Sequence, residues 1–156
     1  MMNKKIGLNE LDSFIKNDFL SLLKKYKIFI FIGNLGAGKT TFISRLIDKC
    51  GIKEIVSSPT FNYVNIYQNS SGDVFYHFDL YRLDSLNSFL DMGFDEYLLQ
   101  ENSYCFIEWP EVIFALLKEK ALIENICTVK FDYDLKNLEK RIISVNPLTA
   151  LDQNFE

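Results

Sequence analysis

The feature that most constrains this chain is a glycine-rich loop between an apolar run and an amphipathic run. Residues 33–40 read Gly-Asn-Leu-Gly-Ala-Gly-Lys-Thr, which has the G-x-x-x-x-G-K-[ST] spacing of a phosphate-binding loop. The wholly apolar residues 28–32 before it predict a strand buried on both faces. Apolar residues at helical spacing after it predict a helix that ends near Gly51. Strand, loop and helix in this order predict a phosphate site.

The loop chemistry predicts a bound triphosphate. Glycines allow successive backbone N–H groups to converge on a phosphate, and the next helix adds unpaired N–H donors and its positive dipole end. We expect Lys39 to reach the β- and γ-phosphates and the Thr40 hydroxyl to hold Mg²⁺. The loop residues expected to bind the cofactor are Asn34, Leu35, Gly36, Ala37 and Gly38.

Length and composition predict one globular α/β domain. The 156 residues are 48% hydrophobic, and we place the domain at 1–148 with a flexible tail at 149–156. No apolar run approaches the roughly 20 residues of a membrane span, so we expect no membrane contact. The three cysteines are widely spaced and indicate buried thiols in a reducing compartment, hence a cytoplasmic location. A net charge of −4 argues against direct nucleic-acid binding through the overall field.

The rest of the chain alternates helical and extended patterns. An amphipathic helix is predicted from Leu11 to Leu23, with Asn9 as its cap. Residues 61–67 and 74–79 predict an antiparallel hairpin, residues 104–108 a second buried strand, and residues 111–119 a helix. Residues 122–131 and 141–145 predict closing strands.

Two carboxylates end predicted strands and are candidates for the site. Asp79 stands where Mg²⁺ or a hydrolytic water needs an acid. Glu108 follows an apolar strand, where an ionised carboxylate needs a partner such as a metal or its water shell. Thr60 lies in a Ser-Pro-Thr segment that suits a nucleotide-sensing switch, although spacing alone favours an ordinary polar turn. His77, the only histidine, is interpreted as packed or hydrogen-bonded rather than as a metal ligand.

Two further residues keep open interpretations. Trp109 either plugs the core or shapes the site beside Glu108. Arg82 is either a solvated surface arginine or a contact to phosphate or a partner, and the spacing does not decide.

Four motifs in order resemble the TsaE (YjeE) family. They are residues 33–42 around the loop, Ser-Pro-Thr-Phe at 58–61, His-Phe-Asp-Leu-Tyr-Arg-Leu at 77–83 and Ile-Glu-Trp-Pro-Glu at 107–111. The resemblance spans about residues 6–145, and its C-terminal part matches only loosely. One departure is Asn34, where the family usually has Asp after the first loop glycine, so the charge of that acid is missing.

The resemblance implies a specific activity. Members are single α/β P-loop domains with a mostly parallel sheet that bind ATP and Mg²⁺ and hydrolyse ATP slowly on their own. They act with TsaB and TsaD, which threonylcarbamoylate adenosine 37 of ANN-decoding tRNAs. The net negative charge of this chain fits a protein that reaches tRNA indirectly, through that complex. By matching position, Lys39, Thr40 and Thr41 bind phosphate and metal, Asp79 serves the nucleotide site, and Glu108 serves Mg²⁺.

Two other function classes remain open from sequence. A small-molecule P-loop kinase needs an acceptor pocket and usually an arginine-bearing lid over the phosphates. Arg82 is the only arginine between Asp79 and Glu108, which argues against such a lid. A nucleotide-gated binding module without essential hydrolysis would use the surface around Trp109 and Arg82 for its partner. The segment Leu8–Glu10 is a candidate lining of the adenine pocket.

Overall fold

The fold is built on a seven-stranded mixed sheet with helices on both faces. The computed structural model describes residues 1–59 and 62–149. The strands are β1 (Met2–Gly7), β2 (Ile28–Ile32), β3 (Val64–Gln68), β4 (Val74–Asp79), β5 (Ser103–Glu108), β6 (Ile126–Tyr133) and β7 (Lys140–Pro147). Their order across the sheet is β1-β7-β6-β2-β5-β4-β3. The four central strands β6, β2, β5 and β4 are parallel, and the outer strands join them through antiparallel pairs.

The helices are mostly short. They are α1 (Leu11–Phe14), α2 (Lys39–Lys49), α3 (Leu86–Asp91), α4 (Phe114–Leu117) and α5 (Lys120–Ile123). A π turn and a 3₁₀ turn extend α1 without a break to Lys24, so the N-terminal helical segment is continuous but not a regular α-helix. No helix in the two described ranges is long and apolar enough to cross a membrane.

The core lies in two layers, one on each face of the sheet. Strand β2 is buried at all five positions, so its side chains alternate between the two layers. Phe29 and Phe31 face α2 and the N-terminal helical segment, where Phe42 of α2 packs on Phe31. Ile28 and Ile30 face the layer that contains α3 and α4. Helix α2 is therefore held against the sheet directly after the loop.

The predicted architecture is confirmed, with several local corrections. A single α/β sheet, the strand at 28–32, the helix after the loop and the hairpin are all present. Strand β1 was not predicted, because an edge strand that exposes three of its six residues carries little apolar pattern. The predicted cap at Asn9 is wrong: the Glu10 carboxylate closes this turn by accepting from the Gly7 N–H at 2.8 Å.

Two of the predicted strands begin later than expected. Residues 122–123 are helical, and β6 begins only at Ile126, because Asn125 first turns the chain by donating to the Leu122 carbonyl. Strand β3 begins at Val64, after Tyr63 with a left-handed φ of 60°. Phe61 and the tail beyond Thr149 lie outside the described residues.

Candidate nucleotide site

The phosphate loop opens into a cleft of about 330 Å³. The cleft lies where β2, β4 and β5 end, which is where open α/β sheets bind ligands. Its lining comprises Leu35, Gly36, Ala37, Gly38, Lys39, Thr40, Thr41, Ser58, Asp79, Glu108 and Trp109. The sheet order therefore brings the loop residues together with both acids named from sequence.

The loop backbone takes a path that requires glycine. Gly33, Gly36 and Gly38 have φ values of 150°, 74° and 104°, which side chains rarely allow. The turn is closed by the Ala37 N–H, which donates to the Asn34 carbonyl at 3.1 Å. Helix α2 starts directly after Gly38, so its first N–H groups end at the cleft.

Lys39 is buried inside the loop that precedes it. Its ammonium donates to the carbonyl oxygens of Gly33 at 2.6 Å and Asn34 at 3.2 Å. It also lies 4.0 Å from the ring centre of Trp109, which is within range of a cation–π contact. Trp109 therefore lines the cleft and packs on the Lys39 ammonium.

The charge of Lys39 reflects two opposing influences. Burial lowers the pKa of the Lys39 ammonium, and the carboxylates of Glu108, Asp79 and Glu111 act against that shift. The three acids thus concentrate negative charge around one desolvated cation. A phosphate group entering the cleft would find a cation that the loop has already placed.

Glu108 is a buried carboxylate with two partners. Its Oε1 accepts from the Thr40 hydroxyl at 2.7 Å and lies 3.0 Å from His77 Nε2. These contacts supply the pairing that a buried acid needs. His77 is thus hydrogen-bonded and fully buried, as interpreted from sequence.

Asp79 is held at the cleft by different contacts. The Ser58 hydroxyl donates to Asp79 Oδ2, and the Tyr81 N–H donates to Oδ1 at 3.2 Å. In the sheet, Asp79 is directly opposite Glu108 on the neighbouring parallel strand. Sequence reasoning did not single out Ser58, and its only signal was its place in the Ser-Pro-Thr segment; Thr60 of that segment lies outside the described residues.

A second cleft of about 280 Å³ adjoins the first at Trp109. It is lined by Leu35, Asp79, Tyr81, Arg82 and Trp109. The Tyr81 and Trp109 ring centres are 4.8 Å apart, and Trp109 has a left-handed φ of 58°. Arg82 is exposed at this rim, so the structure places Arg82 and Trp109 beside the site.

An apolar cleft of about 280 Å³ lies on the other side of the loop. Leu8 and Leu11 of the N-terminal segment line it, together with the loop at Gly36 and the side chain of Arg141. The Arg141 Nε–H also donates to the Ala37 carbonyl at 3.2 Å. Sequence reasoning named Leu8 as a candidate lining of the adenine pocket, but it gave Leu11 only a place in the amphipathic helix. It missed Arg141, since β7 follows the loop by about a hundred residues.

The donor set suits a hard cation bound together with phosphate. The described residues hold no cluster of three or more His, Cys, Asp or Glu that would form a metal cage. Mg²⁺ in P-loop proteins needs no such cage, because phosphate oxygens and waters complete its octahedron. The Thr40 hydroxyl beside the Glu108 carboxylate supplies the oxygen donors that such a site uses.

Several curated relatives are similar to this chain over much of its length. The tRNA threonylcarbamoyladenosine biosynthesis protein TsaE of Borreliella burgdorferi is 40% identical over 96 residues, covering 62% of this chain and 69% of that protein. The protein of the same name from Rickettsia bellii is 34% identical over 142 residues, covering 88% and 96%. The one from Haemophilus influenzae is 37% identical over 123 residues, covering 77% and 73%.

A solved structure and a family model extend the comparison. The structure described as "Crystal structure of Bacillus subtilus YdiB" has a TM-score of 0.63 and 24% identity, covers 96% of this chain and 89% of that chain, and shows the same fold. The model of the family "Threonylcarbamoyl adenosine biosynthesis protein TsaE" matches residues 9–142. The chain therefore belongs to the TsaE family.

Proposed function

We propose that this protein is a Mg²⁺-dependent ATPase that supports repeated threonylcarbamoylation of adenosine 37 in ANN-decoding tRNAs, together with TsaB and TsaD. The observation that carries the proposal is the convergence of the phosphate loop, Lys39, Thr40, Asp79 and Glu108 on one cleft. The names of the TsaE relatives place those proteins in threonylcarbamoyladenosine biosynthesis, which supports the pathway.

The proposed hydrolysis works by positioning and charge neutralisation. Lys39 and the backbone N–H groups of the loop bind the phosphates, with Thr41 at the rim of the same cleft. Thr40 and Glu108 would hold Mg²⁺ and its water shell, and the cation would supply charge neutralisation for the phosphates when it is bound. Asp79 orients the attacking water, because it lines the cleft and its carboxylate is held by Ser58.

The adenine base is proposed to enter the apolar cleft beside the loop. Leu8 and Leu11 offer apolar faces for a flat ring, and the cleft shares Gly36–Gly38 with the phosphate site. One nucleotide could therefore span both clefts with its phosphates on the loop.

Contact with TsaB and TsaD is proposed at the rim formed by Tyr81, Arg82 and Trp109. Tyr81 is 58% exposed although it is aromatic, and its ring packs at a tilt of 51° on Trp109, which contacts Lys39. A partner bound at this rim would sense the state of the phosphate loop. The net charge of −4 supports an indirect contact with tRNA through these partners.

The phosphate-loop part of the proposal is tested by Lys39→Ala. We expect ATP affinity to fall by about 100-fold or more, because hydrogen bonds to charged groups contribute about 1.5–3 kcal/mol each. Lys53→Ala is the matched control, because this lysine is 79% exposed and pairs only with Asp48 among the described residues. Equal ATP affinity in Lys39→Ala and Lys53→Ala would refute the phosphate-loop assignment.

The pathway part is tested by reconstitution with TsaB, TsaD and tRNA. We expect many rounds of modification with this protein and ATP, and a stop after about one round with the Glu108→Gln variant. Multiple rounds with a variant that hydrolyses no ATP would instead support a nucleotide-gated module. No effect of the wild-type protein on turnover would refute the role.

A further inference from the structure

His77 is a buried polar residue that the proposed hydrolysis does not use. It lies on β4, on the same face as Asp79, and its side chain is fully inaccessible to solvent. Its Nε2 is 3.0 Å from Glu108 Oε1, while its Nδ1 has no hydrogen-bond partner among the described residues. Native proteins rarely leave a buried polar atom unpaired, so the presence of an imidazole here needs an explanation.

The network determines which nitrogen carries the proton. An ionised carboxylate only accepts hydrogen bonds, and Glu108 Oε1 already accepts one from Thr40 at 2.7 Å. The short contact therefore requires His77 Nε2 to donate, and in the neutral imidazole this leaves Nδ1 with an unpaired lone pair. A buried nitrogen without a partner is less stable than a hydrogen-bonded one. An apolar side chain would avoid that cost but would leave Glu108 without this donor.

We propose that His77 is a positioning residue for the Mg²⁺ ligands. Its Nε2–H holds the Glu108 carboxylate in the orientation in which the same oxygen also receives the Thr40 hydroxyl. The Thr40 and Glu108 oxygens that would bind Mg²⁺ are thereby aligned before nucleotide arrives. Hydrogen bonds from residues behind the ligands orient the ligands in the same way at other metal sites. This inference rests on the proposed function, in which Thr40 and Glu108 serve the cation.

Nitrogen-15 NMR of the imidazole tests the tautomer without any nucleotide. His77 is the only histidine, so one pair of ring nitrogens reports on this contact alone. We expect a protonated Nε2 and an unprotonated Nδ1 in the nucleotide-free protein. An unprotonated Nε2, or averaging of the proton between the two nitrogens, would overturn the inference.

Three variants test the effect on Mg²⁺. His77→Phe removes the donor, and we expect the Mg²⁺ concentration that half-saturates Mg²⁺-linked ATP binding to rise about 10–100-fold. ADP affinity measured in EDTA should stay unchanged. His77→Gln should restore most of the Mg²⁺ response, because its amide N–H reaches the position of Nε2. Phe75→Leu is the matched control, since it alters the same buried face of β4 without touching Glu108.

The outcomes separate this inference from the proposed function. Wild-type protein without any Mg²⁺-linked ATP binding would refute the function itself. Wild-type protein with such binding, but an unchanged Mg²⁺ response in His77→Phe, would refute only the positioning role, as would an equal shift in Phe75→Leu. If His77→Phe does not fold, His77→Asn replaces it, because its amide reaches only the Nδ1 position and should fail where His77→Gln succeeds.

Discussion

Gly33→Ala tests whether the phosphate loop has the close contact to β6 seen in the structure. A Cβ on Gly33 would lie 2.8 Å from the Phe131 carbonyl oxygen and 3.1 Å from Phe131 Cβ. Both atoms belong to β6, which is paired on both sides by β2 and β7, so neither can shift without disturbing the sheet. The φ of 150° at Gly33 adds backbone strain for any residue with a side chain.

The expected loss follows from these two effects. A residue held in a sparsely populated backbone region costs about 1–3 kcal/mol. Overpacking against neighbours that cannot relax costs a further ~1–3 kcal/mol. We therefore expect Gly33→Ala to lose about 2–6 kcal/mol of unfolding free energy, which corresponds to a fall in Tm of roughly 4–24 °C for a chain of this length.

Gly36→Ala is the matched control within the same loop. A Cβ at Gly36 would meet nothing within 4 Å, so only the left-handed φ of 74° opposes it. That conformation costs about 1–2 kcal/mol, or roughly 2–8 °C in Tm. Urea unfolding and thermal melts of the nucleotide-free proteins give the unfolding free energy and the Tm of both variants. Equal losses in the two variants, or a Gly33→Ala loss below about 1 kcal/mol, would refute the predicted contact with β6.

Three further predictions concern individual contacts. Thr40→Val and Glu108→Ala should be coupled, with the double variant about 1–2 kcal/mol more stable in urea unfolding than the summed losses predict, because both single changes remove the same hydrogen bond; additive losses would exclude the hydrogen bond. Burial raises the pKa of the Cys50 thiol to about 12, so its alkylation at pH 8 should be roughly 1,000-fold slower in native than in urea-unfolded protein, as followed by mass spectrometry; similar rates would contradict that burial. The Lys5 ammonium, hydrogen-bonded to Asp134, holds the pKa of that carboxyl below its ordinary value of about 3.9. The stabilisation from this ion pair is therefore present above about pH 4 and is lost as the pH falls further. Asp134→Asn should lower Tm at pH 7, and the Tm difference from the wild-type protein should shrink below pH 4. A Tm difference that does not change with pH would contradict the ion pair.

Local patterns were enough to predict the centre of this protein. The buried strand at 28–32, the glycine loop and helix α2 each follow from neighbouring residues, since periodicity and turn chemistry act over a few positions. Asp79 and Glu108 stood out because each ends an apolar strand. The edge strand β1 escaped, because its exposed residues carry no such pattern and its partner β7 is remote in sequence.

By itself the sequence determined the spacing of a phosphate-binding loop, two acids at strand ends and membership of the TsaE family. Only the tertiary structure decided which side chains meet. Thr40 and Glu108 are 68 positions apart and His77 and Glu108 are 31 apart, yet one carboxylate oxygen joins all three. These contacts depend on β5 lying between β2 and β4 in the sheet, and strand order is set by packing of the whole core rather than by any local run of residues.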